Sequence, residues 1–389
     1  MKITFVTSTL TSGGAERVIS LLANNFAERG YEVEMIALTS ISPDYYTLDP
    51  KVKFIHADKV SKGGLLGELW WFRKHIKKEQ PDVVIAFMEA VYEFVLLALL
   101  GTKVPVISSE RKDPATLGPL RKILRWMLLP AATAHVVQTQ QIKQYYNQRI
   151  QKKTHIIYNP VNERVFETSY DNDDDNDDDN DDDNFKLKVK EGVEVKEERL
   201  NRIISVGRLY PQKNQKMMIE AFAKIAPKFP EWSLVIYGEG PERDYLESLV
   251  SSLFAKTHQQ AVKIQVSSRI SLPGRCETVI EEVAKSKVFC LSSDYEGMSN
   301  AMIEALCVGT PVISTKVSGT DELIRDGENG LLVDIGDTEG LAKAYEKLLS
   351  NQELREQIGK EGQKLATKFK TDTIVDQWEE LIKKVKSEE

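Results

Sequence analysis

Short apolar runs alternate with amphipathic stretches along the first 165 residues of the chain. Ile3–Val6 has the composition of a buried strand, residues 15–29 carry apolar side chains at helical spacing, and residues 32–38 form a second strand-like run. This rhythm predicts βαβ units, in which helices join parallel strands. Further strands are predicted at 83–87, 104–108, 134–137 and 155–158, and further helices at 67–78 and 119–129.

The same rhythm begins again after residue 200. Strands are predicted at 203–206, 233–237, 270–272, 288–291, 311–313 and 331–333, with helices at 215–226 and 242–253. The pattern therefore predicts two doubly wound α/β domains, over residues 1–166 and 201–370. Residues 371–389 place Ile374, Trp378 and Leu381 on one face, which predicts a carboxy-terminal amphipathic helix.

Residues 167–200 interrupt this pattern. A unit of one Asn and three Asp repeats from Asp171 to Asn184. The tract has no apolar side chains for a core, so we expect a solvated, disordered insertion. A calcium site is the alternative, although the central Gly and terminal Glu of an EF-hand loop are missing. Phe185–Glu198 alternates Lys and Glu with Leu and Val, which predicts an exposed hairpin arm or a linker.

The composition is typical of a globular protein. Hydrophobic residues make up 41% and charged residues 29% of the 389 residues. The longest apolar run, Phe94–Gly101, is much shorter than the roughly 20 residues of a membrane span. The three cysteines have no disulfide or metal spacing, and Met1 is not followed by a signal-peptide pattern. We therefore expect a protein of the reducing cytosol.

Charge is distributed unevenly along the chain. The formal net charge is −7, yet residues 1–165 hold 22 basic and 15 acidic side chains. The first domain is therefore suited to an anionic surface or ligand. No nucleic-acid partner is expected, because no recognition module accompanies this charge.

A glycine-rich turn follows the first predicted strand. Gly13-Gly14-Ala15-Glu16 lies where the first helix begins, so its backbone can approach a ligand and its free amides favour an anion. A turn that serves only the chain reversal is the alternative. The spacing differs from the dinucleotide fingerprint, and the second strand is not followed by the acid that would bind a ribose, which argues against a nicotinamide cofactor.

Two loops of the second domain follow predicted strands. Ligands of open α/β sheets bind at the carboxyl ends of the strands, where Arg208 and Lys213 suit a diphosphate, although a solvated basic loop is the alternative. The loop after strand 288–291 contains Glu296 and leads into a helix to Cys307 that Ser299 or Asn300 would cap. Glu296 and Glu304 are placed to accept sugar hydroxyls; a Glu304 that merely complements the helix dipole is the alternative.

These motifs together resemble a family 4 glycosyltransferase of the GT-B fold over nearly the whole chain. The resemblance is carried by Glu296 and Glu304 at E-x7-E spacing, by Gly207-Arg208-Leu209 with Lys213-Asn214, by Gly238-Glu239-Gly240-Pro241 and by Gly13-Gly14-Ala15-Glu16. The first half, with Ser108-Ser109-Glu110-Arg111, is similar to bacterial enzymes that add hexose or N-acetylhexosamine to lipid-linked, capsular or O-antigen oligosaccharides. The resemblance implies two Rossmann-like α/β domains facing each other across a cleft, with the last helix crossing back to the first.

The resemblance also implies a reaction. The reaction is a hexosyl transfer that retains the anomeric configuration and needs neither a metal nor a cofactor. The donor is a UDP-linked nucleotide sugar bound to the second domain. The acceptor, a glycan or a polyprenyl-diphosphate-linked glycan, is bound to the first domain. A departing nucleoside diphosphate needs preorganised positive charge, which gives Arg208 and Lys213, with Glu296, the catalytic roles. The ribose is assigned to Glu304 and the base to Arg275. Further donor contacts are implied for Gly14, Gly207, Gly238, Gly297, Met298, Ser299 and Asn300, and acceptor contacts for Glu16, Glu110 and Arg111.

The first domain departs from the family at one position and offers two candidate membrane segments. Many family members have His where this chain has Arg111, and Arg suits an acceptor phosphate. Residues 65–78 and 121–129 mix Lys and Arg with Trp and Leu at helical spacing, which suits helices lying on an anionic membrane. We therefore expect a peripheral enzyme at the cytoplasmic face of the cell membrane. The alternative is that these apolar side chains pack on the sheet while the cations are solvated.

Two other functions stay open. A nucleotide-sugar 2-epimerase has the same two-domain architecture, and a sugar-binding protein without enzymatic activity also pairs α/β domains. The E-x7-E loop and the lipid-facing first domain favour transfer over the epimerase, and a sugar-binding protein would normally carry a signal peptide.

Overall fold

The computed structural model describes residues 1–11, 13–40, 44–167, 184–188, 194–253 and 266–387. The Asp/Asn tract, up to Asp183, lies outside these ranges, and so do its expected disorder and the alternative calcium site. The chain divides into two compact units, Met1–Pro160 together with Thr371–Glu389, and Val161–Lys370. The first segment thus ends at Pro160, a few residues before the expected boundary at 166.

The first unit is a parallel sheet with helices on both faces. Its strands are β1 (Lys2–Thr7), β2 (Glu32–Ala37), β3 (Lys53–His56), β4 (Val83–Phe87), β5 (Val106–Ser109), β6 (Ala134–Val137) and β7 (Thr154–Ile156). They lie in the order β3-β2-β1-β4-β5-β6-β7. Its helices are α1 (Gly14–Glu28), α2 (Ala57–Val60), α3 (Gly64–Glu79), α4 (Glu89–Ala98), α5 (Pro119–Leu128), α6 (Gln140–Tyr145) and α7 (Gln148–Gln151).

The second unit repeats this architecture. Its helices are α8 (Arg164–Glu167), α9 (Gln215–Ile225), α10 (Arg243–Ser252), α11 (Val279–Ala284), α12 (Asn300–Cys307), α13 (Thr320–Leu323), α14 (Thr338–Leu349) and α15 (Gln352–Gln363). The parallel sheet contains β10 (Leu200–Val206), β11 (Ser233–Tyr237), β12 (Ile270–Gly274), β13 (Ser286–Leu291), β14 (Val312–Thr315) and β15 (Leu331–Val333), in the order β12-β11-β10-β13-β14-β15. β8 (Asn184–Lys188) and β9 (Glu194–Glu198) pair antiparallel, which confirms the predicted hairpin.

The carboxy-terminal helix α16 (Thr371–Ser387) belongs to the first unit, as the resemblance implies. Trp378 is fully buried and its ring stacks on Phe87 of β4, with the ring centroids 5.7 Å apart. Arg29, at the end of α1, forms ion pairs with Asp376 and Glu379 of the same helix. These contacts complete the layer that covers one face of the first sheet.

The central strands are buried on both faces, so their sequences are continuous apolar runs rather than alternating ones. All five residues of β4 are buried, and so are all six residues of β13. In each sheet the chain order reverses once, between β1 and β4 in the first unit and between β10 and β13 in the second. Ligands of doubly wound folds bind at the carboxyl ends of the strands at such a reversal, the topological switch point.

Candidate functional site

The switch point of the second unit brings two predicted loops together. β10 ends at Val206 and is followed by Gly207-Arg208, while β13 ends at Leu291 and is followed by the loop with Glu296. Asn214 Nδ2 donates to Asp294 Oδ1 at 2.9 Å, and Ser292 Oγ donates to the Lys213 carbonyl oxygen at 2.8 Å. The two loops are therefore hydrogen-bonded to each other beside the strand ends.

An ion pair between Lys213 and Glu296 lies at the centre of these loops. Lys213 Nζ donates to Glu296 Oε1, and Ser293 Oγ donates to the same oxygen at 2.6 Å. The side chains of Lys213 and Glu296 are 16% and 9% exposed, respectively. The sequence places these two residues in neighbouring loops, and the structure shows that they form a direct, mostly desolvated pair.

Arg208 provides a second cation at the same strand end, but its side chain is exposed, unlike that of Lys213. The Arg208 guanidinium carbon lies 5.0 Å from the centroid of the Tyr210 ring. Within the described residues it forms no ion pair. Gln215 Nε2 donates to the Arg208 carbonyl oxygen at 3.0 Å, which fixes the backbone that carries the guanidinium. Arg208 therefore keeps its charge accessible to an anion from solvent.

Glycines allow the strand-end loops to pack backbone against backbone. Gly238 has a φ of +141°, and a Cβ atom there would lie 1.9 Å from the Gly207 carbonyl oxygen. A Cβ atom on Gly240 would lie 2.2 Å from the Leu209 carbonyl oxygen. The requirement for glycine at these positions is therefore structural, and the donor contacts expected of Gly207 and Gly238 stay predictions.

The helix after the Glu296 loop begins as the sequence indicates. Ser299 Oγ accepts a hydrogen bond from the Met302 amide at 3.4 Å, which confirms Ser299 as the cap of α12. Gly297 and Met298 are buried, and Asn300 is the first helical residue. Glu304 lies one turn further along α12, half-buried at the edge of a small pocket. That pocket is also lined by Val206, Val279, Ile280, Val283 and Ala301.

Arg275 follows β12 on the same edge of the sheet and is exposed. Nearby Glu239 accepts hydrogen bonds from Arg243 Nε and Nη2, each at 2.8 Å. These bonds lower the pKa of Glu239, and the charge of Arg275 acts in the same direction. The guanidinium of Arg275 therefore lies within electrostatic reach of the turn that contains Gly238.

In the first unit, the glycine-rich turn lies at the end of β1. α1 begins at Gly14, and the Gly13 carbonyl oxygen accepts a hydrogen bond from the Tyr46 hydroxyl at 3.0 Å. The Glu16 carboxylate folds back over Gly13, where a Cβ atom would lie 2.0 Å from Glu16 Oε2. The absence of a side chain at position 13 thus leaves room for the acidic side chain from the first turn of the helix.

Glu110, a predicted acceptor contact, lies in the interior of the first unit. It is fully buried, and its Oε2 atom accepts hydrogen bonds from the Tyr92 hydroxyl at 2.8 Å and Arg125 Nη1 at 2.7 Å. Burial raises the pKa of Glu110, while the charge of Arg125 acts against this rise and Glu89 adds to it. The protein donors around Glu110 Oε2 give this carboxylate a structural role, and its contact with an acceptor stays a prediction.

Arg111, the next residue, lies at the end of β5 with unused hydrogen-bonding capacity. Its guanidinium carbon is 4.2 Å from the centroid of the Phe87 ring, and its Nη1 donates to Asn159 Oδ1. Its Nε and Nη2 atoms are buried and have no hydrogen-bond partner among the described residues. Burial lowers the pKa of Arg111 to about 9. No pattern in the sequence indicates that Asn159 contacts Arg111.

The two candidate membrane helices expose their apolar side chains. On α5, Leu120 is 81% and Trp126 69% exposed, and Ile123, Leu124 and Met127 are exposed as well. On α3, the exposed apolar residues are Leu65, Leu66 and Trp70. The alternative in which the apolar residues pack on the sheet is therefore wrong for these residues, but it holds for Phe72 and Ile76 of α3, which are fully buried in the core. No helix in the described part of the chain is both long and apolar enough to cross a bilayer.

One group of possible metal ligands occurs among the described residues, and it is already neutralised. Glu34, His75 and Glu79 bring their ligand atoms close together. Lys53 Nζ lies 2.8 Å from Glu34 Oε1, and Lys2 Nζ lies 2.6 Å from Glu79 Oε2. The two ammonium groups already supply the positive charge that a cation would bring, so this cluster is an ion-pair network of the sheet edge.

Comparison with protein families divides the chain in the same way as its two sheets. The model described as "Glycosyltransferase Family 4" matches residues 12–165, and the model "Glycosyl transferases group 1" matches residues 188–365. The carboxyl ends of β10 and β13 lie within the second match, and Arg111 lies within the first.

Two curated relatives are similar over all or most of their length. One is the GalNAc-alpha-(1->4)-GalNAc-alpha-(1->3)-diNAcBac-PP-undecaprenol alpha-1,4-N-acetyl-D-galactosaminyltransferase of Campylobacter jejuni, 29% identical over 100% of this chain and 99% of the relative. Another from the same organism is N-acetylgalactosamine-N,N'-diacetylbacillosaminyl-diphospho-undecaprenol 4-alpha-N-acetylgalactosaminyltransferase, 25% identical over 89% of each chain.

Solved structures share the fold. Anabaena Alr3699/HepE in complex with UDP matches with a TM-score of 0.74 at 18% identity, over 99% of this chain and 100% of that one. Sucrose-phosphate synthase from Thermosynechococcus elongatus matches with a TM-score of 0.78 at 18% identity, over 100% of both chains. Both similarities establish a common architecture of two parallel-sheet domains.

Proposed function

The chain belongs to the glycosyltransferases of group 1 and family 4, and on that premise we propose that it transfers a hexose or N-acetylhexosamine, with retention of configuration, from a UDP-sugar to a polyprenyl-diphosphate-linked glycan. The names of the two Campylobacter relatives support the acceptor class and the N-acetylhexosamine. The UDP bound to Alr3699/HepE supports the nucleotide.

The observation that carries the proposal is the pair of cations at the second switch point. Arg208 is exposed and Lys213 is paired with Glu296. The site therefore offers one positive charge that is accessible from solvent and a second positive charge that Glu296 holds in place. Both would bind the diphosphate of the donor and stabilise the negative charge that develops on its leaving oxygen. Two fixed side-chain cations can supply this stabilisation without a metal ion. Glu296 would orient Lys213 and accept hydroxyls of the transferred sugar.

The remaining donor contacts extend from this centre along α12 and β12. The amides of Gly297 to Asn300 would bind phosphate oxygens or sugar hydroxyls at the start of α12. Glu304, at the edge of its apolar pocket, would accept the ribose hydroxyls, while Arg275 would contact the base. The structure supports this arrangement because all of these residues belong to loops or a helix at the carboxyl ends of the strands of one sheet.

Arg111 is the best candidate for an acceptor phosphate in the first unit. It has two nitrogens without a hydrogen-bond partner among the described residues, and a guanidinium pairs with phosphate through two parallel hydrogen bonds. The amide of Gly14 at the start of α1 and the carboxylate of Glu16 would supply weaker contacts. The surface that binds the acceptor would therefore lie at the carboxyl ends of β1 and β5.

Attachment to the membrane surface would come from α3 and α5. Trp, Leu and Ile side chains that project from a surface helix insert into the boundary between lipid headgroups and acyl chains. On α5 the cations Arg121 and Arg125 instead form ion pairs with Glu93 and Glu110, so this helix offers lipids mainly apolar contact. The anionic charge of the bilayer would be met by Lys74, Lys77 and Lys78 of α3.

The reaction is tested with purified protein and a panel of UDP-, GDP- and ADP-sugars, with and without a polyprenyl-diphosphate-linked acceptor. We expect sugar transfer from one UDP-sugar and an unchanged rate after EDTA treatment. NMR of the product should show an axial anomeric linkage when the anomeric bond of the donor is axial. A product with inverted configuration, or exclusive use of a GDP-sugar, would contradict the proposal. A UDP-sugar converted to its 2-epimer without an acceptor would identify the epimerase instead.

Membrane attachment is tested by co-flotation with phosphatidylglycerol vesicles. Replacing Ile123 and Trp126 together by Ser should remove most of the bound fraction, because both side chains are exposed on α5. Tyr245→Ser is the matched control, since Tyr245 is an exposed aromatic residue of the second unit. Equal flotation of the Ile123/Trp126 variant and the wild type would refute the membrane role of α5.

A further inference from the structure

Helix α5 is packed in an unusual orientation. Its buried positions include Arg125, which is 2% exposed, and Leu128, whereas most of its large apolar side chains face outward. Arg121 Nη2 lies 2.8 Å from Glu93 Oε2 of α4. The inner face of the helix therefore combines one apolar residue, Leu128, with guanidinium groups that pair with carboxylates of the same unit.

The Arg125 guanidinium reaches a carboxylate on which three elements converge. Glu110 Oε2 accepts from Arg125 Nη1 of α5 at 2.7 Å, from the Tyr92 hydroxyl of α4 at 2.8 Å and from the Tyr146 hydroxyl, just after α6, at 2.8 Å. Arg125 Nη1 also lies 3.4 Å from the Tyr146 hydroxyl. Removal of this carboxylate would break the shared contact of all three elements at once.

Glu110 is bonded directly to Arg111, and the two side chains leave the end of β5 in different directions. Successive side chains of an extended segment alternate between its two sides. Glu110 lies beneath α5, while Arg111 packs on the Phe87 ring and contacts Asn159. The Glu110 amide donates to the Val136 carbonyl oxygen at 2.8 Å, which holds the peptide between Ser109 and Glu110 against β6. A shift of Glu110 would therefore move the guanidinium of Arg111.

We propose that Arg125 and Glu110 are positioning residues that couple the lipid-contacting helix α5 to Arg111, so that docking of α5 on a membrane orders the acceptor-binding end of β5. This coupling rests on the proposed function, because it assigns lipid contact to α5 and acceptor phosphate to Arg111. It adds a direct connection between the two surfaces through one buried ion pair. A purely stabilising ion pair would instead affect folding and leave acceptor binding unchanged.

The first measurement follows amide hydrogen exchange in residues 110–116 and in α5, with and without phosphatidylglycerol vesicles. In the wild type, vesicles should slow exchange at least threefold in both segments. In the double variant Arg125→Met/Glu110→Gln, vesicles should slow amide exchange in α5 but not in residues 110–116. This variant removes both charges with side chains of similar size, so the unit is expected to fold, whereas a single substitution would leave an unpaired buried charge. Arg149→Met is the matched control, because Arg149 is an exposed cation of α7 in the same unit that does not reach Glu110.

The second measurement is steady-state transfer to a vesicle-embedded, polyprenyl-diphosphate-linked acceptor. The double variant should raise the acceptor KM about tenfold, with kcat changed less than threefold and with unchanged affinity for UDP. Compared with the double variant, Arg125→Lys in the otherwise native chain should restore part of the acceptor affinity, since it returns the positive charge opposite Glu110 without the planar guanidinium. Arg149→Met should behave as the wild type in both measurements.

The outcomes separate this coupling from the function on which it rests. Vesicle protection of α5 without protection of residues 110–116 in the wild type would overturn the coupling and leave membrane attachment intact. The absence of protection in α5 itself would overturn both membrane attachment and the coupling. An unchanged acceptor KM in a folded double variant would overturn the positioning role while transfer from the UDP-sugar stands.

Discussion

The two cations of the second switch point should respond differently to removal, although both are predicted to bind the donor diphosphate. Lys213 is paired with Glu296, whose other partner among the described residues is the Ser293 hydroxyl. Arg208 is exposed and forms no ion pair within the described residues. Lys213→Ala therefore removes a ligand contact and also leaves a mostly buried carboxylate without its counter-charge, whereas Arg208→Ala removes a ligand contact alone.

The magnitudes follow from the exposure of the pair. Breaking a fully buried ion pair costs about 3–5 kcal/mol, and an exposed pair contributes about 0–1 kcal/mol. Lys213 and Glu296, 16% and 9% exposed, lie between these limits, so we expect Lys213→Ala to cost about 2 kcal/mol of stability. For a unit of this size that corresponds to a melting temperature lowered by about 4–8 °C. A lost hydrogen bond to a charged group contributes about 1.5–3 kcal/mol, which weakens UDP binding about 10- to 100-fold in either variant.

The assay combines thermal unfolding of the free protein with calorimetric titration of UDP. Lys216→Ala serves as the control, because Lys216 lies in the next helix and pairs with Glu220 at an exposed i,i+4 position. It should change neither quantity beyond about 0.5 kcal/mol. A Lys213→Ala variant that melts early yet binds UDP normally would show that the pair is purely structural. Normal UDP binding by Arg208→Ala would refute the donor site.

Three further predictions concern stability. Gly238→Ala should destabilise the second unit by more than 2 kcal/mol in urea unfolding, about the cost of a steric conflict at a strained backbone position, because its Cβ atom would lie 1.9 Å from the Gly207 carbonyl oxygen. Burial lowers the pKa of His135 from 6.5 to about 3, so the folded state lacks a proton that the unfolded chain binds below about pH 6.5, and stability is lost as the pH falls through this range. His135→Gln should therefore lessen the drop in unfolding free energy between pH 7 and pH 4 by about 2–3 kcal/mol, and an identical pH profile would contradict this sign. Trp378→Ala should cost the first unit about 3–5 kcal/mol, against about 0.5 kcal/mol or less for the exposed Trp126→Ala, as measured by thermal unfolding; comparable effects of the two would refute the docking of α16.

Both parallel sheets follow from the sequence because their central strands are continuous apolar runs separated by helical stretches. The helix α4 does not, although it lies in the middle of the first unit. Eight of its ten residues are buried, so its apolar side chains surround it and give no amphipathic period. The edge strand β3, with four residues, is too short and too polar to stand out. Burial on several sides thus removes the amphipathic periodicity by which α4 would have been recognised as a helix.

For the candidate site, the sequence indicates the loops but not the pairs that form between them. Arg208, Lys213 and Glu296 are recognisable because each follows a predicted strand of an open sheet. The direct pairing of Lys213 with Glu296, 83 positions apart, depends on the register of β10 against β13. The orientation of α5 is likewise hidden. Its periodicity defines an apolar face, and the carboxylates that turn its cations inward belong to α4 and to the end of β5.

This orientation changes the meaning of the positive charge in the first half of the chain. Lys2, Lys53, Arg121 and Arg125 are all engaged by carboxylates of their own unit, so these four cations of the first half are not available to an external anion. An interaction carried by apolar side chains is weakened little by salt, whereas one carried by exposed charges is screened over about 8–10 Å at physiological ionic strength. We therefore infer that membrane attachment through α5 persists at high salt, and that recognition of phosphate in this unit is concentrated at Arg111, where two guanidinium nitrogens have no hydrogen-bond partner within the described residues.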